Sequence, residues 1–573
     1  MTGGVRRGHL ARAYAANLLG TTNGGRGVGV ECSERGLWWA SFAVIGALTT
    51  VWSLSTPIYH GSDEQEHTVK AVAVARGQLQ TATVDEPGPW GISIPQTRVE
   101  VPEAYAALED VAACWAPPLT SADERPPGGG EPAGAQGARC VPPTRDGDTV
   151  ALTTYVGTYP PTYYALVGWP SAVLPPDVAF FAMRIVSGLL SAAFLASALT
   201  SAAVLRGARL LVPATALGAT PGVLYLSGSV NPNGLEVAAA CAAFASTLAL
   251  LTVRGTVPHR LLLRTALAIA TLACTRSLGP VFAVCTVVTA LLVAGDRATV
   301  KRLWADRTVR TTAVAVAVAG AVAVVFTAVV GTDVMTLSTE PGASSVSLAL
   351  DHLKSLPANQ LDAVGQVGVI AWQVVEVPPD LAWAWIAAVV LLALGAVVVG
   401  GRRARTAILL LAAATAALPV AAQLVSDQRI LWFGRYTLAV TAGLSVLGGY
   451  TLARSPRVRG SVLTVAGALL AVGIVVAHAW GIERQLRLVE RVAVTLPWSG
   501  PVDQQLLLAV GLVAAALYAG LLLPLALGWL RSVPLTGEGT ELEPAEDPRA
   551  DERAGVRVGT GRPDLVASPH RPR

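Results

Sequence analysis

Charged residues are scarce in this chain: Asp, Glu, Lys and Arg together make up 14% of its 573 residues. Soluble domains carry about 25%, so this shortage excludes an ordinary soluble protein. With 53% hydrophobic residues and a mean hydropathy of +0.52, the composition indicates an all-α polytopic membrane protein. Lysine occurs only at Lys70, Lys301 and Lys354, whereas arginine is abundant. This bias is typical of a GC-rich genome and indicates a bacterium, such as an actinomycete.

Several common motifs are missing as well. The sequence has no P-loop, no zinc motif and no glycine-rich nucleotide fingerprint, which argues against a nucleotide-driven pump or a nucleotide-sugar enzyme. Its two halves show no repeat, which weakens the hypothesis of a transporter built from repeats. The net charge of +4 gives no sign of a nucleic-acid partner, and no feature indicates an oligomeric state.

The six cysteines are of more than one kind. Cys241, Cys274 and Cys285 lie in apolar runs and are predicted to pack as small hydrophobic side chains. Cys114 and Cys140 share one polar segment and would form a disulfide if that segment faces an oxidising compartment. Two unpaired thiols are the alternative.

Apolar runs predict about twelve membrane-spanning helices, since each span needs about 20 mostly apolar residues. A further apolar run, 162–175, is short and flanked by proline pairs, so it is either a span or a helix lying at the membrane surface. The predicted spans are 37–55, 178–204, 209–228, 234–253, 260–276, 278–295, 311–331, 381–400, 406–425, 434–453, 460–480 and 504–530.

The arginines between these runs distinguish the two arrangements. The arginine-rich N-terminus is predicted to be cytoplasmic by the positive-inside rule. If 162–175 lies flat, the later arginine-rich connections also fall inside, whereas a span there would move all of them outside. The flat arrangement is therefore predicted, with both termini cytoplasmic and the protein in the bacterial inner membrane. No small-residue cleavage site follows the first span, so that span is predicted to be a retained signal anchor.

This topology divides the chain into three regions. Residues 1–36 are predicted to form a flexible cytoplasmic N-terminus, 37–531 the transmembrane domain, and 532–573 a disordered cytoplasmic tail. Within the domain, 56–177 is predicted to be a long extracytoplasmic loop with interfacial helices. A second such loop, 332–380, contains a predicted amphipathic helix.

Polar residues cluster at the predicted outer membrane surface and are few at the midplane. In "HGSDEQEH", directly after the first span, Ser62 and Gln65 fit a capping box that would start a helix at Asp63. Glu66 and Lys70 fit an i,i+4 ion pair. Acids in a first helical turn also favour the helix dipole without any further role. Because ionisable residues at membrane depth are candidates for function, the other outer clusters matter, and they contain Arg184, Arg276, Asp427, Arg429, Arg435 and His478.

The order of several short motifs resembles a known family. The motifs "SDEQEH", "YPPTYY", "MRIVSGLL", "TPGVLYLSGSVNPNGLEVA", "TRSLGP" and "FGRYTLAV" follow one another over residues 50–480. In this they resemble the DUF2142 family of bacterial membrane proteins. That family is similar to the GT-C superfamily, whose members transfer sugars from polyprenyl-phosphate donors outside the cytoplasmic membrane. The resemblance implies a GT-C-like fold with an active site that faces outside.

The resemblance also implies a general base. The superfamily keeps one or two carboxylates just past the first span, and Asp63 and Glu64 hold that position in this sequence. Asp63, or else Glu64, would take the proton of the acceptor hydroxyl as the sugar is transferred. His67, one turn further on, would orient the base or contact the phosphate.

Arginines would hold the phosphate of the leaving lipid, because the planar guanidinium binds phosphate bidentately. An arginine that snorkels to lipid headgroups or bonds neighbouring helices is the alternative for each candidate. The candidates, in order of preference, are Arg435, Arg276 and Arg184.

Tyrosines and asparagines are candidates for binding the sugar. Tyr159 and Tyr163 would form a stacking platform, although an aromatic belt at the membrane surface explains them at least as well. Asn231 and Asn233 would bind sugar hydroxyls, unless the "NPNG" segment is simply a turn. Glu236 is sufficiently explained by the dipole of the helix it starts, and no role is assigned to it.

The spacing of these residues requires no metal or cofactor. A divalent cation, Mg²⁺ or Mn²⁺, stays open, because Asp63, Glu64 and Asp427 would be suitable oxygen ligands if they converged.

The predicted function is a membrane glycosyltransferase that moves a sugar from a polyprenyl-phosphate donor to a glycan or lipid-linked acceptor of the cell envelope. A transporter or flippase of lipid-linked glycans is one alternative, but it should line a path at the midplane with polar groups. A non-catalytic envelope assembly protein that binds lipid or glycan is the other alternative.

Overall fold

The computed structural model describes residues 19–20, 30–79, 83–84, 92–93, 96–114, 141–330, 336–337, 344–359, 369–370, 375–424, 429–430, 432–493, 500–533 and 541–542. Cys140 lies outside the described residues, and with it the predicted disulfide to Cys114. Asp427 and most of the two predicted tails, 1–36 and 532–573, also lie outside them.

Helices account for most of the described chain, as expected for apolar segments that must pair their backbone groups internally. Two 3-10 turns, Trp169–Ala172 and Gly434–Thr437, lie between them. In chain order the helices are α1 (Glu34–Ser55), α2 (Glu64–Ala75), α3 (Glu103–Cys114), α4 (Pro161–Gly168), α5 (Pro176–Ala203), α6 (Ala208–Ala216), α7 (Pro221–Ser227), α8 (Pro232–Thr252), α9 (His259–Thr275), α10 (Gly279–Ala294), α11 (Arg297–Ala305), α12 (Arg307–Val330), α13 (Ser345–Asn359), α14 (Pro379–Val399), α15 (Arg402–Leu424), α16 (Leu438–Arg454), α17 (Gly460–Ala493) and α18 (Gln504–Leu527).

The strands are short, and β5 with β6 makes the longest pairing among the described residues. These two pair antiparallel from Thr97 opposite Thr154 to Pro102 opposite Thr149. The strands are β1 (Leu19–Gly20), β2 (Val30–Ser33), β3 (Thr83–Val84), β4 (Ile92–Ser93), β5 (Gln96–Pro102), β6 (Thr149–Thr154), β7 (Val253–Arg254), β8 (Thr336–Leu337), β9 (Val369–Ile370), β10 (Val375–Glu376), β11 (Arg429–Ile430), β12 (Leu530–Val533) and β13 (Glu541–Leu542).

The described helices confirm a multi-pass membrane protein. Among the described residues, nine helical segments are long and apolar enough to cross a membrane, and there are ten if α6 and α7, bent by 59° at a short break, are counted together as one span. The predicted number of about twelve is not confirmed. The two remaining apolar runs form α9 and α10, which have 17 and 16 residues and are short for a hydrocarbon layer of about 30 Å.

The ambiguous run 162–175 does not form a spanning helix. It forms α4, which has eight residues, followed by the four-residue turn Trp169–Ala172. This length supports the flat arrangement. In the second predicted loop, the amphipathic helix is confirmed as α13.

The described residues form two hydrophobic cores. The larger lies within the membrane bundle, where α8 is buried along nearly its whole length and packs against α5, α9, α10 and α16. The smaller lies outside the bundle, under α2, α3, α4, β5 and the first turns of α5. The described part of 56–177 is therefore a packed unit with its own core.

The two ends of the transmembrane domain meet. Strand β2 pairs in parallel with β12, from Val30 opposite Leu530 to Ser33 opposite Val533. Residues 30–36 were predicted to be flexible, but they form β2 and the start of α1. The last predicted span, 504–530, corresponds to α18, which ends at Leu527. The start of α1 and the end of α18 lie at the same end of the bundle.

Candidate active site

Asp63 lies at the entrance to α2 with a left-handed backbone, at φ 57° and ψ 17°. Among the described residues, the other non-glycine residue with a positive φ is Tyr59, in the same loop. The predicted capping box of Ser62 and Gln65 is wrong, because α2 begins at Glu64 and its N-cap residue is Asp63, not Ser62. A left-handed non-glycine residue persists only when its surroundings hold it there.

The carboxylate of Asp63 is held by two groups from distant parts of the chain. Arg435 donates from Nη2 to Oδ2 at 2.7 Å, and the Tyr155 hydroxyl donates to Oδ1 at 2.9 Å. The Asp63 side chain remains 18% exposed. Asp63 therefore faces the start of α16 and the end of β6, and the helix dipole alone does not explain it.

Arg435 and Arg276 meet at the ring of Tyr436. Their guanidinium carbons lie 5.4 Å and 4.8 Å from the ring centroid. Arg276, directly after α9, donates to Asn233 Oδ1 at 2.5 Å and pairs with Glu236 Oε2 at 3.2 Å. The Nε atoms of both arginines are buried and have no hydrogen-bond partner in the part of the chain that the structure describes. We call Asp63, Arg276, Arg435 and Tyr436 the Asp63 cluster.

Glu64 points away from this cluster. Arg184 binds it bidentately, from Nε to Oε1 at 2.7 Å and from Nη2 to Oε2 at 2.6 Å. The backbone N–H groups of Gly61 and Val230 donate to the same carboxylate. Both charged side chains are 0% exposed. This geometry gives Glu64 and Arg184 a structural position, and it lends no support to the predicted roles of Glu64 as a base and of Arg184 as a phosphate ligand.

His67 is buried one turn into α2. Its Nδ1 atom makes a hydrogen bond with the Tyr164 hydroxyl at 2.9 Å. Burial lowers the pKa of His67 to about 3, so the imidazole is neutral at physiological pH. Its hydrogen bond goes to Tyr164 and not to Asp63, so the predicted orienting role finds no support in the geometry.

The tyrosine and asparagine candidates also divide into one residue near the arginines of the Asp63 cluster and others that are held in buried hydrogen bonds. Tyr159 lies beside the Asp63 cluster, with its ring centroid 5.6 Å from the Arg276 guanidinium carbon. Tyr163 is buried and bonds Ser187 at 3.0 Å. Asn231 donates to the carbonyl of Ser62 at 2.6 Å and accepts from the Asn233 N–H at 2.9 Å. Because the side chains of Tyr163, Asn231 and Asn233 are buried, they stabilise the site, and the geometry lends no support to their predicted role in binding a sugar.

Other predicted candidates lie elsewhere. Arg429 pairs with Asp351 at 3.7 Å, and both side chains are about half exposed. His478 is 0% exposed, between the rings of Trp385 and Tyr518.

Sequence reasoning missed several groups around Asp63. Tyr155 binds Asp63 through its hydroxyl, and its backbone N–H donates to Glu66 Oε2 at 3.2 Å. Burial raises the pKa of Glu66 to about 7. The predicted pair with Lys70 does not form, because Lys70 donates to the carbonyl of Gly157, and burial lowers the pKa of this amine to about 8.

Two further missed residues are Tyr436 and Glu236. The sequence offered a signal for Tyr436, because it directly follows the candidate phosphate ligand Arg435 in "FGRYTLAV". Glu236 carried a weaker one, because its position near the start of α8 already accounted for an acid there and hid its pairing with Arg276.

The carboxylates do not form a metal site. Asp63 pairs with Arg435 and Glu64 with Arg184, so the two carboxylates are engaged by different arginines. Among the described residues, no group of three His, Cys, Asp or Glu side chains is arranged to hold a metal ion. The two described acids proposed as ligands therefore do not fit a divalent cation.

Comparison with known proteins places the chain in a family. Neither the curated proteins nor the solved structures include a match. A family model described as a predicted membrane protein (DUF2142) matches residues 47–444. This match includes the whole Asp63 cluster and more than half of the chain, so the protein belongs to the DUF2142 family.

Proposed function

We propose that the protein is a membrane glycosyltransferase that transfers a sugar from a polyprenyl-phosphate donor to a hydroxyl group of an acceptor in the cell envelope. The observation that carries this proposal is the Asp63 cluster. In it a partly exposed carboxylate and two partly exposed arginines converge at helix ends, beside a packed unit outside the bundle. This arrangement resembles the loop-carboxylate site of GT-C enzymes.

Asp63 is the proposed general base. In the transfer, the acceptor oxygen forms a bond to the anomeric carbon while the bond from that carbon to the phosphate oxygen breaks. The acceptor proton moves to the Asp63 carboxylate. Arg435, at 2.7 Å, holds this carboxylate in place before the reaction. The left-handed backbone at Asp63 is the kind of local strain that occurs at functional sites.

Arg276 and Arg435 are the proposed phosphate ligands. The leaving polyprenyl phosphate gains negative charge as the bond breaks, and fixed cations in a site of low dielectric stabilise that charge. The two side chains are 12% and 14% exposed. Each also has a buried Nε–H with no hydrogen-bond partner among the described residues. A buried donor without a partner is costly, and a bound phosphate oxygen would satisfy it.

An apolar cavity fits the lipid portion of the donor. It has a volume of about 600 Å³ and lies among α8, α9, α10 and α12. Ala273 and Pro280, which flank the turn carrying Arg276, are among its lining residues. A lipid whose phosphate binds Arg276 would therefore have an apolar surface beside it for its first isoprene units.

One observation favours a second candidate, transport of a lipid-linked glycan. The pair α6 and α7 is bent by 59° at a short break, and discontinuous helices often form transport sites. His478 and Trp385 lie near this break, since Trp385 donates to the carbonyl of Leu217 at 3.0 Å. In this case His478 would matter more than Asp63.

The test is sugar release from radiolabelled polyprenyl-phosphate donors by the purified protein in lipid vesicles. Asp63→Asn should lower turnover by about 10²–10⁴-fold, the usual contribution of a general base. Asparagine tolerates the left-handed backbone, so this variant should stay folded. The matched control is Asp380→Asn, an exposed acid in the first turn of α14, which should leave turnover unchanged.

A second set of variants tests the phosphate ligands. Arg276→Gln and Arg435→Gln should raise KM for the donor and lower kcat, whereas the exposed Arg457→Gln should do neither. Turnover that survives Asp63→Asn in a folded protein would contradict the proposal. Loss of lipid-linked glycan transport on His478→Ala, with no sugar released by any variant, would favour the second candidate.

A further inference from the structure

A short piece of the C-terminal tail returns to the membrane bundle at the far end of α8. Strand β13 (Glu541–Leu542) pairs antiparallel with β7 (Val253–Arg254), which directly follows α8. In this register Glu541 stands opposite Arg254. Adding a strand to an exposed edge is a common way for an extended segment to bind a folded protein. The tail therefore has a defined position on the bundle at this point.

The tail begins close enough to β7 for this return. It leaves the bundle at the end of β12, Val533, and α5 contacts both β12 and α8. Glu541 is eight residues further on, and an extended chain of that length spans up to about 28 Å. Neighbouring packed helices lie only about 8–10 Å apart. The tail therefore reaches β7 without any rearrangement of the helices.

The part of the tail that contains β13 is strongly acidic. Residues 538–552, "EGTELEPAEDPRADE", contain seven acidic residues and one basic residue, which gives a net charge of −6. We call 538–552 the acidic segment. Blocks of like charge at the end of a chain are typical interaction segments, and this one calls for a basic surface.

The surface beside β7 is basic. Helix α11 and the start of α15 line a common cavity with β7. The acids there, Asp296 and Asp306, are engaged in capping α11 and α12. Arg302 and Arg403 donate to backbone carbonyls, which fixes their position and leaves their positive charge in place. We call the basic side chains of α11 and of the start of α15 the basic face: Arg297, Lys301, Arg302, Arg402, Arg403 and Arg405.

We propose that the acidic segment binds the basic face, with β13 on β7 as its anchor. Basic residues at a membrane surface also attract anionic lipid headgroups, and that is the alternative occupant. The pairing of β13 with β7 favours the tail, because it brings the acidic segment directly beside the basic face. This interaction lies at the opposite end of α8 from the Asp63 cluster, and it does not depend on the proposed glycosyl transfer.

The first test links β13 to β7 by a disulfide in the full-length protein, purified in a neutral detergent. Residues directly opposite each other in antiparallel strands have Cα atoms about 4.5–5.5 Å apart, a distance that a disulfide spans. With the native cysteines replaced by alanine, Val253→Cys and Leu542→Cys should therefore cross-link on oxidation. The control pairs Val253→Cys with Leu565→Cys, which lies in the tail outside the acidic segment. Equal cross-linking of the two pairs would overturn the proposal.

The second test keeps the native cysteines and measures cleavage of the acidic segment by a glutamate-specific protease. Arg297→Gln combined with Lys301→Gln should speed cleavage by about 2–30-fold, the loss expected for two exposed ion pairs. Salt at about 1 M should also speed cleavage in the wild type, because it screens these charges. The matched control is Lys354→Gln combined with Arg145→Gln, which removes two exposed cations far from β7 and should leave the rate unchanged.

Two results of the protease experiment would overturn the proposal. One is a cleavage rate that is the same in the Arg297 and Lys301 double variant as in the wild type. The other comes from repeating the experiment in lipid nanodiscs. Protection that persists in phosphatidylcholine and in phosphatidylglycerol supports the tail as the occupant, whereas protection lost in phosphatidylglycerol would assign the basic face to anionic headgroups.

Discussion

At the scale of single residues, the neighbours Asp63 and Glu64 differ most in their surroundings. Glu64 is enclosed and fully bonded by Arg184 and two backbone N–H groups, whereas Asp63 stays partly open beside Arg435. One peptide bond therefore separates a buried structural acid from a candidate catalytic one. The left-handed turn at Asp63 produces this separation, because it directs the two side chains to opposite partners.

Glu66 provides a prediction on pH. Its pKa is raised to about 7 by burial, assisted by the nearby charges of Asp63 and Glu109 and opposed by hydrogen bonds from Thr154 and Tyr155. The folded state therefore holds this proton more tightly than the unfolded state does. The resulting contribution to stability is present below the unfolded pKa of about 4.3 and is lost as the pH rises to about 7.

Glu66→Gln removes this titration while keeping an oxygen that accepts from Tyr155. Relative to the wild type, the variant should gain on the order of 1–3 kcal/mol in free energy of unfolding between pH 4.5 and pH 7.5. Chemical denaturation of both proteins at the two pH values measures this gain. A difference in stability that stays the same at both values would contradict the assignment.

The sequence alone could not have assigned the ion pairs. It identified Asp63, Glu64, Arg184, Arg276 and Arg435 as the charges that matter, because each lies near the end of an apolar run. Local pattern carries no information on which acid meets which arginine, since the partners are far apart in the chain. The capping box failed for the same reason, because contacts from β6 and α16 outweigh the local preference of Ser62 and Gln65.

At the scale of elements, α2 depends on a close approach by α4. A Cβ atom on Gly168 would lie 2.2 Å from the carbonyl oxygen of Ala71 in α2, so only glycine fits there. This contact fixes α2, and with it Asp63, against the rest of the smaller core.

Gly168→Ala should therefore push the two helices apart and cost about 1–3 kcal/mol, with faster amide exchange concentrated in α2 and α4. Hydrogen exchange read by mass spectrometry measures this. Gly520→Ala is the control, because a Cβ atom there meets no atom within 4 Å, and it should leave both helices unchanged. Equal exchange in α2 for the two variants would contradict the role given to this contact.

Element boundaries show where hydropathy stops being informative. The apolar run 209–228 reads as one span, yet it contains the break between α6 and α7 at Leu217–Thr220. A hydropathy average does not register such a break, because the residues within it are as apolar or as small as their neighbours. The twelve apolar runs were correctly predicted to be helical. The number of membrane crossings, however, cannot be read from hydropathy, because it depends on the lengths and bends of the helices.

At the scale of the whole molecule, the pairing of β2 with β12 constrains the topology. Because the start of α1 and the end of α18 lie together, we expect the chain to cross the membrane an even number of times. With the nine long apolar helices, an even number would count the bent pair α6 and α7 as a tenth span.

Reporter fusions at the two termini should accordingly give the same compartment, which the arginine distribution predicts to be the cytoplasm. A reporter inserted at Gly147, in the loop before β6, should report the opposite side. Fluorescent proteins and alkaline phosphatase distinguish the two compartments. Termini on opposite sides would contradict both the parity and the pairing of β2 with β12.

The same pairing sets an order for assembly. During synthesis, α1 leaves the ribosome long before α18 exists, yet α18 is one of the helices that cover it. Until the last helix is inserted, one flank of α1 must be shielded by lipid or by another protein. Contacts between the two ends of a chain also close slowly. A stalled or truncated chain would therefore leave an open bundle, and quality control in the membrane could recognise that open flank.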